Sequence, residues 1–326
     1  MPTIRMALIL ASTLGALAGL WAMQRDPDFL PAPQACDGSA LVALGGGLVL
    51  VASDENNVVR LVDLGAAVPE VRAEFDLGPL LRPELNRKGR PKEADLEAAA
   101  RVGDVIYWIG SHGRDRGGDA EPSRQRLVAT RWDSSSRQLL PIGRAATSML
   151  EVLTRGESAL ASALRAAAAQ PHLRGGLDVE GLAATDRRTL LVGFRSPLVD
   201  GKALVVEWLN PEPATERGEP ATFGPPMWVD LGGRGIRDMA ARKDGSVLLL
   251  AGPAGTRGDW RLHSWRVGDA SATEMPVQLP AGVAWEGVAI DPDTARLWLS
   301  ADDGDSGRPA CKDRPPAERS FRLISR

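Results

Sequence analysis

The chain has 326 residues, 44% hydrophobic and 25% charged, with 35 glycines and 24 prolines. That composition argues against disorder and fits a globular protein with many turns and a sizeable core. A net charge of −3 offers no basic field to hold a phosphate backbone, which argues against nucleic acid as a partner.

The first stretch, MPTIRMALILASTLGALAGLWAMQRDP, carries one early basic residue (Arg5), an apolar run from Met6 to Ala22 and a small-residue site at Ala16 to Ala18. Residues 1–22 therefore read as an export signal, with a single domain over 28–326. The apolar run is near the lower length limit for a bilayer span, so an uncleaved N-terminal anchor stays open as the alternative. A periplasmic or extracellular location is expected, with membrane contact only through this segment. The two cysteines, Cys36 and Cys311, lie near the ends of the mature chain, and an oxidising compartment would let them pair.

Further along, five segments superimpose: CDGSALVALGGGLVLVASDE from Cys36, ADLEAAARVGDVIYWIGSHG from Ala94, LDVEGLAATDRRTLLVGFRS from Leu177, GIRDMAARKDGSVLLLAGPA from Gly235 and AWEGVAIDPDTARLWLSADDG from Ala284. Each is an apolar run, a turn and a second apolar run, the pattern of a β-hairpin. A third run follows each hairpin (NNVVRLVDL, QRLVATRWD, ALVVEWLNP, RLHSWRVGD, SFRLISR) and weaker fourth runs follow several of these. Four strands per repeat is the blade of an all-β propeller. Five four-stranded blades are expected, with six or seven as alternatives. Between the second and third repeats, SMLEVLTRGESALASALRAAAAQ is rich in alanine and leucine without proline, which predicts one inserted helix around residues 147–170. The last repeat stops at its third strand. The segment DPDFLPAPQA is placed to supply the fourth, and Cys36 and Cys311 then fall on the same face in neighbouring blades.

The common register aligns Ser39, Glu97, Glu180, Asp238 and Glu286 at the start of the innermost strands, which converge on the propeller axis. Four converging carboxylates cannot all stay ionised without neutralisation, because like charges at short range raise each other's pKa. Oxygen-only donors in a roomy site suit Ca2+, with Mg2+ as the alternative. The competing reading is an ion-pair ring in which arginines or loop amides take the carboxylates. The loops between second and third strands open on the same face and contribute Asp54, Glu55, His112, Arg114, Arg195, Asp302 and Asp303. Arginines beside a cation site would take the anionic part of a small ligand, and His112 is a candidate general base or acid. Serine-hydrolase elbow, Walker loop, dinucleotide fingerprint and H-E-x-x-H patterns do not occur.

At KEADLEAAA…IYWIGSHGR, LDVEGLA…LLVGFRSPL and WEGVAID the sequence resembles the bacterial family called domain of unknown function 3616. The resemblance implies a secreted propeller whose inner strands begin with an acid followed by glycine. Blade two departs from that pattern with Ala98, and blade four with Asp238-Met239. More distantly the acid-glycine repeat is similar to calcium-dependent apyrases and lactonase-type propellers, which hold a divalent cation on the axis. Two functions are expected on these grounds. One is a metal-dependent hydrolase of phosphate esters or lactones with His112, Arg114 and Arg195 as catalytic residues. The other is a non-catalytic envelope propeller, expected as a monomer, that binds a small anionic ligand or an envelope protein around a structural Ca2+ or an ion-pair ring.

Overall fold

A computed structural model describes residues 29–171 and 175–326, so residues 1–22, read above as an export signal, and His172 lie outside the described residues. Twenty strands form five four-stranded antiparallel sheets. Blade one is β2 (Ala40–Gly45), β3 (Leu48–Ala52), β4 (Val58–Asp63) and β5 (Glu70–Asp76). Blade two is β6 (Leu96–Val102), β7 (Val105–Gly110), β8 (Leu127–Asp133) and β9 (Gln138–Ala146). Blade three is β10 (Asp178–Ala184), β11 (Leu190–Ser196), β12 (Ala203–Trp208) and β13 (Met227–Val229). Blade four is β14 (Gly235–Ala241), β15 (Ser246–Gly252), β16 (Arg261–Arg266) and β17 (Thr273–Glu274). Blade five is β18 (Ala284–Ile290), β19 (Leu297–Asp302) and β20 (Ser320–Ser325), completed by β1 (Leu30–Pro33) from the other end of the chain.

β1 pairs with β20 from Leu30 opposite Leu323 to Pro33 opposite Ser320, so the ring closes with N-terminal residues as the incomplete last repeat requires. Pro31 and Pro33 within β1 are tolerated because it is an outer edge strand with one paired side. The Cys36–Cys311 disulfide, with Cα atoms 5.7 Å apart and a sequence separation of 275, ties the same closure.

Two-faced strands have no water-facing side inside a propeller, which explains the near-continuous apolar runs. One hydrophobic cluster lies at each blade interface. Leu50, Leu61, Trp108 and Leu96 belong to that between blades one and two, and Leu191, Leu249 and Trp265 to that between blades three and four. The interface of blades two and three is the largest, and the insertion packs onto it through Met149, Leu153 and Leu164.

That insertion is two helices and not one. Among the described residues the first helix is the short α1 (Gly78–Leu81), and the insertion forms α2 (Met149–Leu153) and α3 (Ala159–Ala168), followed later by α4 (Pro211–Arg217). The break falls at Gly156, whose φ of 82° is left-handed, and at Ser158, whose side chain accepts from the Ala161 N–H as the N-cap of α3. Arg165 in turn donates to the carbonyls of Thr154 and Gly156, which fixes the corner between the helices.

Replacing Cys36 and Cys311 by serine frees a loop that spans nearly the whole domain. We expect the folded state to lose about 2–5 kcal/mol, read from urea unfolding of the wild type and the double variant. Alkylation of the intact, unreduced protein is expected to label neither cysteine.

Candidate functional site

Five inner strands, β2, β6, β10, β14 and β18, contact one another around the axis, with β18 closing onto β2. Four of them carry a β-bulge near the start, which skips one residue in the pairing register: Glu97 in β6, Glu180 in β10, Arg237 in β14 and Glu286 in β18. A bulge re-aims the skipped side chain, here toward the axis. The Glu-Gly pairs have a packing cause. A Cβ at Gly287 would meet the Ser300 hydroxyl and the Gly38 carbonyl of the next blade, and one at Gly181 would approach the Ile236 side chain to 2.7 Å.

The bulges correct the register of blade four by one residue. Arg237 occupies the position of Glu180 and Glu286, while Asp238 corresponds to Gly181 and Gly287. A one-residue slip turns a strand side chain to the opposite face. Asp238 is accordingly buried away from the cavity, where it accepts the N–H groups of Met239 and, across the blade interface, Val288, each at 2.7 Å. Burial raises its carboxyl well above the usual range, against those two hydrogen bonds. Asp238 is an inter-blade strut, and the axial ring holds three glutamates, one arginine and Ser39.

The three glutamates and Arg237 open into a cavity of about 730 Å3 whose lining includes eleven carboxylates and four guanidinium groups. The opposite end of the axis narrows to about 120 Å3 between alanines such as Ala43, Ala99, Ala183 and Ala240. Asp54, Asp95 and Glu97 can each bring one carboxylate oxygen within 4.8 Å of the others, and so can Glu97, Asp178 and Glu180. Glu97 belongs to both groups.

Neutralisation is uneven around the ring. Arg195 Nη1 lies 2.9 Å from Glu180 and 3.4 Å from Asp178, and Arg237 bridges Glu180 (2.9 Å) to Glu286. Arg124 pairs with Asp95 at 3.0 Å and with Glu93 at 2.9 Å. The carboxylates of Asp54 and Glu97 receive no hydrogen bond or salt bridge among the described residues. Burial, reinforced by surrounding carboxylates, pushes both well above the ordinary carboxylate range. Asp178 is raised well above it by burial and Glu180, with Arg195 opposing, and Glu286 reaches about 8, chiefly through burial and against the pull of Arg237.

A second tier lies two residues before the ring, at Asp37, Asp95 and Asp178. Asp37 accepts the Ser53 hydroxyl at 2.7 Å, and Asp95 accepts that of Ser111 from the equivalent corner of blade two. Asp178 pairs in register with Ser196. Burial lifts Asp37 to about 7. The signal for this tier was the D-x-E spelling at 95–97 and 178–180, shared as Asp37-x-Ser39 in blade one.

The loop residues separate into two groups. Arg195, Asp54, Glu55 and Asp302 line the cavity. His112 does not. It is 2% exposed, held at φ 58° with Nδ1 against the Gly110 carbonyl at 2.9 Å, and burial lowers its pKa to about 4. Arg114 is occupied by the carbonyls of Ala168 (2.6 Å) and Gly118 (2.9 Å), where it anchors the end of α3. Asp303 pairs with Arg322, at 2.9 Å from Nε to its Oδ1.

Asp37 and Glu286 keep protons in the folded state at pH values where the unfolded chain has released them. The resulting stability is complete below about pH 4 and is lost as pH rises through the folded values, toward about pH 8. In chelator, urea unfolding is therefore expected to show lower stability at pH 8.5 than at pH 5.5, by at least about 1 kcal/mol. A flat or rising profile would contradict the protonated cluster.

Residues 140–280 match the model of a family described as Protein of unknown function (DUF3616). That span takes in blades three and four with their LDVEGLA and GFRSPL elements, and ends before WEGVAID. No curated protein matches the sequence. Among solved structures, the chain is similar to the glutaminyl cyclase of Myxococcus xanthus, at 12% identity and a TM-score of 0.46, with 91% of this chain and 94% of that one covered. It is also similar to the PQQ-bound aldose sugar dehydrogenase of Streptomyces coelicolor, at 16% identity and a TM-score of 0.44, covering 91% and 96%. A third is a Thermus thermophilus putative oxidoreductase (glucose dehydrogenase), at 14% identity and a TM-score of 0.41, covering 91% and 100%.

Proposed function

We propose that this chain is an exported hydrolase of phosphate esters or lactones that works with a divalent cation in the axial cavity. The observation that carries the proposal is the unpaired state of Asp54 and Glu97 in a cavity where carboxylates outnumber guanidinium groups eleven to four. Leaving such groups together without a counter-charge is costly, and their atoms are close enough to share an ion.

The donor set fits a hard cation. It consists of oxygen alone, from Asp54, Asp95, Glu97, Asp178 and Glu180, on five different backbone positions of three blades. Ca2+ accepts such irregular carboxylate shells more readily than Mg2+, which demands a compact octahedron. When bound, the ion would supply positive charge for a substrate oxygen. Arg195 and Arg237 hold Glu180 in place from two sides. Glu286, whose carboxyl burial lifts to about 8 in the ion-free chain against the pull of Arg237, is the acid-base candidate at the cavity wall, and Arg237 and Ser39 (3.5 Å) orient it. This assignment replaces His112 with Glu286 as the acid-base candidate, since His112 does not line the cavity.

An exported location is part of the proposal. The disulfide supports it, and among the described residues no helix is long and apolar enough to cross a membrane.

One observation favours a second reading. Arg195 and Arg237 already pair with Glu180 and Glu286, as they would in a non-catalytic envelope propeller with a structural Ca2+ or an ion-pair ring. Turnover separates the two. Calorimetric titration with Ca2+ and Mg2+ is expected to show stoichiometric binding by the wild type, with Ca2+ preferred, weakened about 100-fold (roughly 2.7 kcal/mol) in Glu97→Gln and Asp54→Asn. A panel of phosphate esters and lactones, assayed with and without Ca2+, is expected to show turnover that these variants and Glu286→Gln lose. Stoichiometric Ca2+ without turnover establishes the second reading with a structural ion, and failure of the wild type to bind either ion rejects the hydrolase and leaves the ion-pair ring.

A further inference from the structure

A second cavity of about 300 Å3 adjoins the axial one, and the two share Pro253 and Gly255 in their walls. It is built from the turn before β14, with Gly232, Gly233 and Arg234, and from the loop after β15, residues 253–259. Its charge balance is the reverse of the axial cavity. Asp259 is its single acid among the lining residues, and Arg234 (2.7 Å) and Arg261 (2.7 Å) already neutralise it. Arg257 lines the same cavity, is exposed, and has no hydrogen bond or ion pair among the described residues.

Other features of this wall leave room beside Arg257 and join it to the axial site. An added Cβ at Gly233 or Gly255 would meet nothing, so the backbone there faces open space. The indole N–H of Trp260, which lines the axial cavity at the end of the same loop, is buried without a partner. Arg195 Nη2 donates to the Gly255 carbonyl at 2.9 Å and so fastens the loop to the axial site. The guanidinium groups expected from the sequence to bind an anion, Arg114 and Arg195, are both engaged elsewhere. Arg257 is not.

We infer that this adjoining pocket is an oxyanion subsite in which Arg257 takes a phosphate or carboxylate group of the substrate, next to the reacting group in the axial cavity. The inference deepens the proposed reaction and rests on it for the word substrate. Guanidinium binds either oxyanion through a planar fork of donors, whereas an ammonium group offers only a point charge. The substrate class that fits both cavities is a small organic anion with a phosphate ester or lactone at one end and a second oxyanion at the other. A neutral sugar lactone would leave Arg257 unused.

The test is calorimetric titration of Ca2+-free protein with inorganic phosphate and, separately, with acetate. The wild type is expected to bind at least one of them, and Arg257→Gln to weaken that binding about tenfold or more. Arg257→Lys is expected to recover part of the loss. The tighter of the two anions names the preferred group. Arg257 is an exposed loop residue, so both variants are expected to keep the wild-type circular dichroism and the wild-type Ca2+ affinity. Binding of neither anion by the wild type, or equal binding by wild type and Arg257→Gln, overturns the inference. A wild type that binds phosphate through Arg257 but takes up no Ca2+ upholds the oxyanion subsite and defeats the axial reading alone.

Discussion

Repulsion among carboxylates on the axis is the constraint around which the upper half of this molecule is arranged. A propeller directs the first residues of every inner strand at one point, so a repeated acid becomes a cluster by symmetry. Burial raises the cost of each charge, and every neighbour raises it further. The fold answers in three ways. Arg195 and Arg237 pair with ring glutamates and Arg124 with Asp95, Ser53 and Ser111 donate to the aspartates beneath the ring, and Asp37 and Glu286 stay protonated into the neutral range. Asp54 and Glu97 receive none of the direct contacts. The imbalance therefore concentrates on the side of blades one to three, and that is where a cation would be held.

Such a cluster demands a rigid frame, because carboxylates on a yielding scaffold would move apart. Ring closure supplies the frame. β1 completes the last blade, the disulfide joins the chain's two ends at the same blade, and Asp238 ties blade four to blade five through the Val288 N–H. The apolar clusters at the five blade interfaces make each blade the packing surface of the next, so displacement of one inner strand would disturb two interfaces. Glycines beside the bulged glutamates let the inner strands approach closely enough for the acids to meet.

Repeat periodicity carried the architecture, because a blade cannot bury both faces alone and its apolar pattern must recur. Five blades, the N-terminal closing strand and the cysteine pair were all legible from Cys36, Cys311 and the unfinished last repeat. The register of blade four was not. GIRDMAA aligns by its acid on Asp238, yet the bulge takes Arg237, since pairing geometry and not residue type decides which side chain is skipped. The inserted helix read as one element because alanine and leucine outweighed the single Gly156, whereas the left-handed turn there and the Ser158 cap divide it. His112 stood in a promising loop, but its left-handed backbone turns the ring into the protein and leaves the cavity to Asp54, Asp95 and Arg124. Whether a loop side chain faces a site depends on a single φ, and periodicity does not encode it.

The two cavities also explain why blade four breaks the acidic pattern. With a glutamate at position 237, Glu180 and Glu286 would face one another with Arg195 as the main guanidinium group between them, and the wall toward Gly255 would carry negative charge. Arg237 at the bulge instead bridges those two glutamates and leaves that wall to donors: Arg195 on the Gly255 carbonyl, the indole of Trp260 and the guanidinium of Arg257. The axis is thus uneven across its width: Asp54 and Glu97 on blades one and two are unpaired, while Arg195 and Arg237 on blades three and four engage the facing glutamates. A site with that asymmetry can hold a cation and an anionic group side by side without either displacing the other, which a uniformly acidic ring cannot do. The departure of one blade from the repeat is what makes the cavity chemically two-sided.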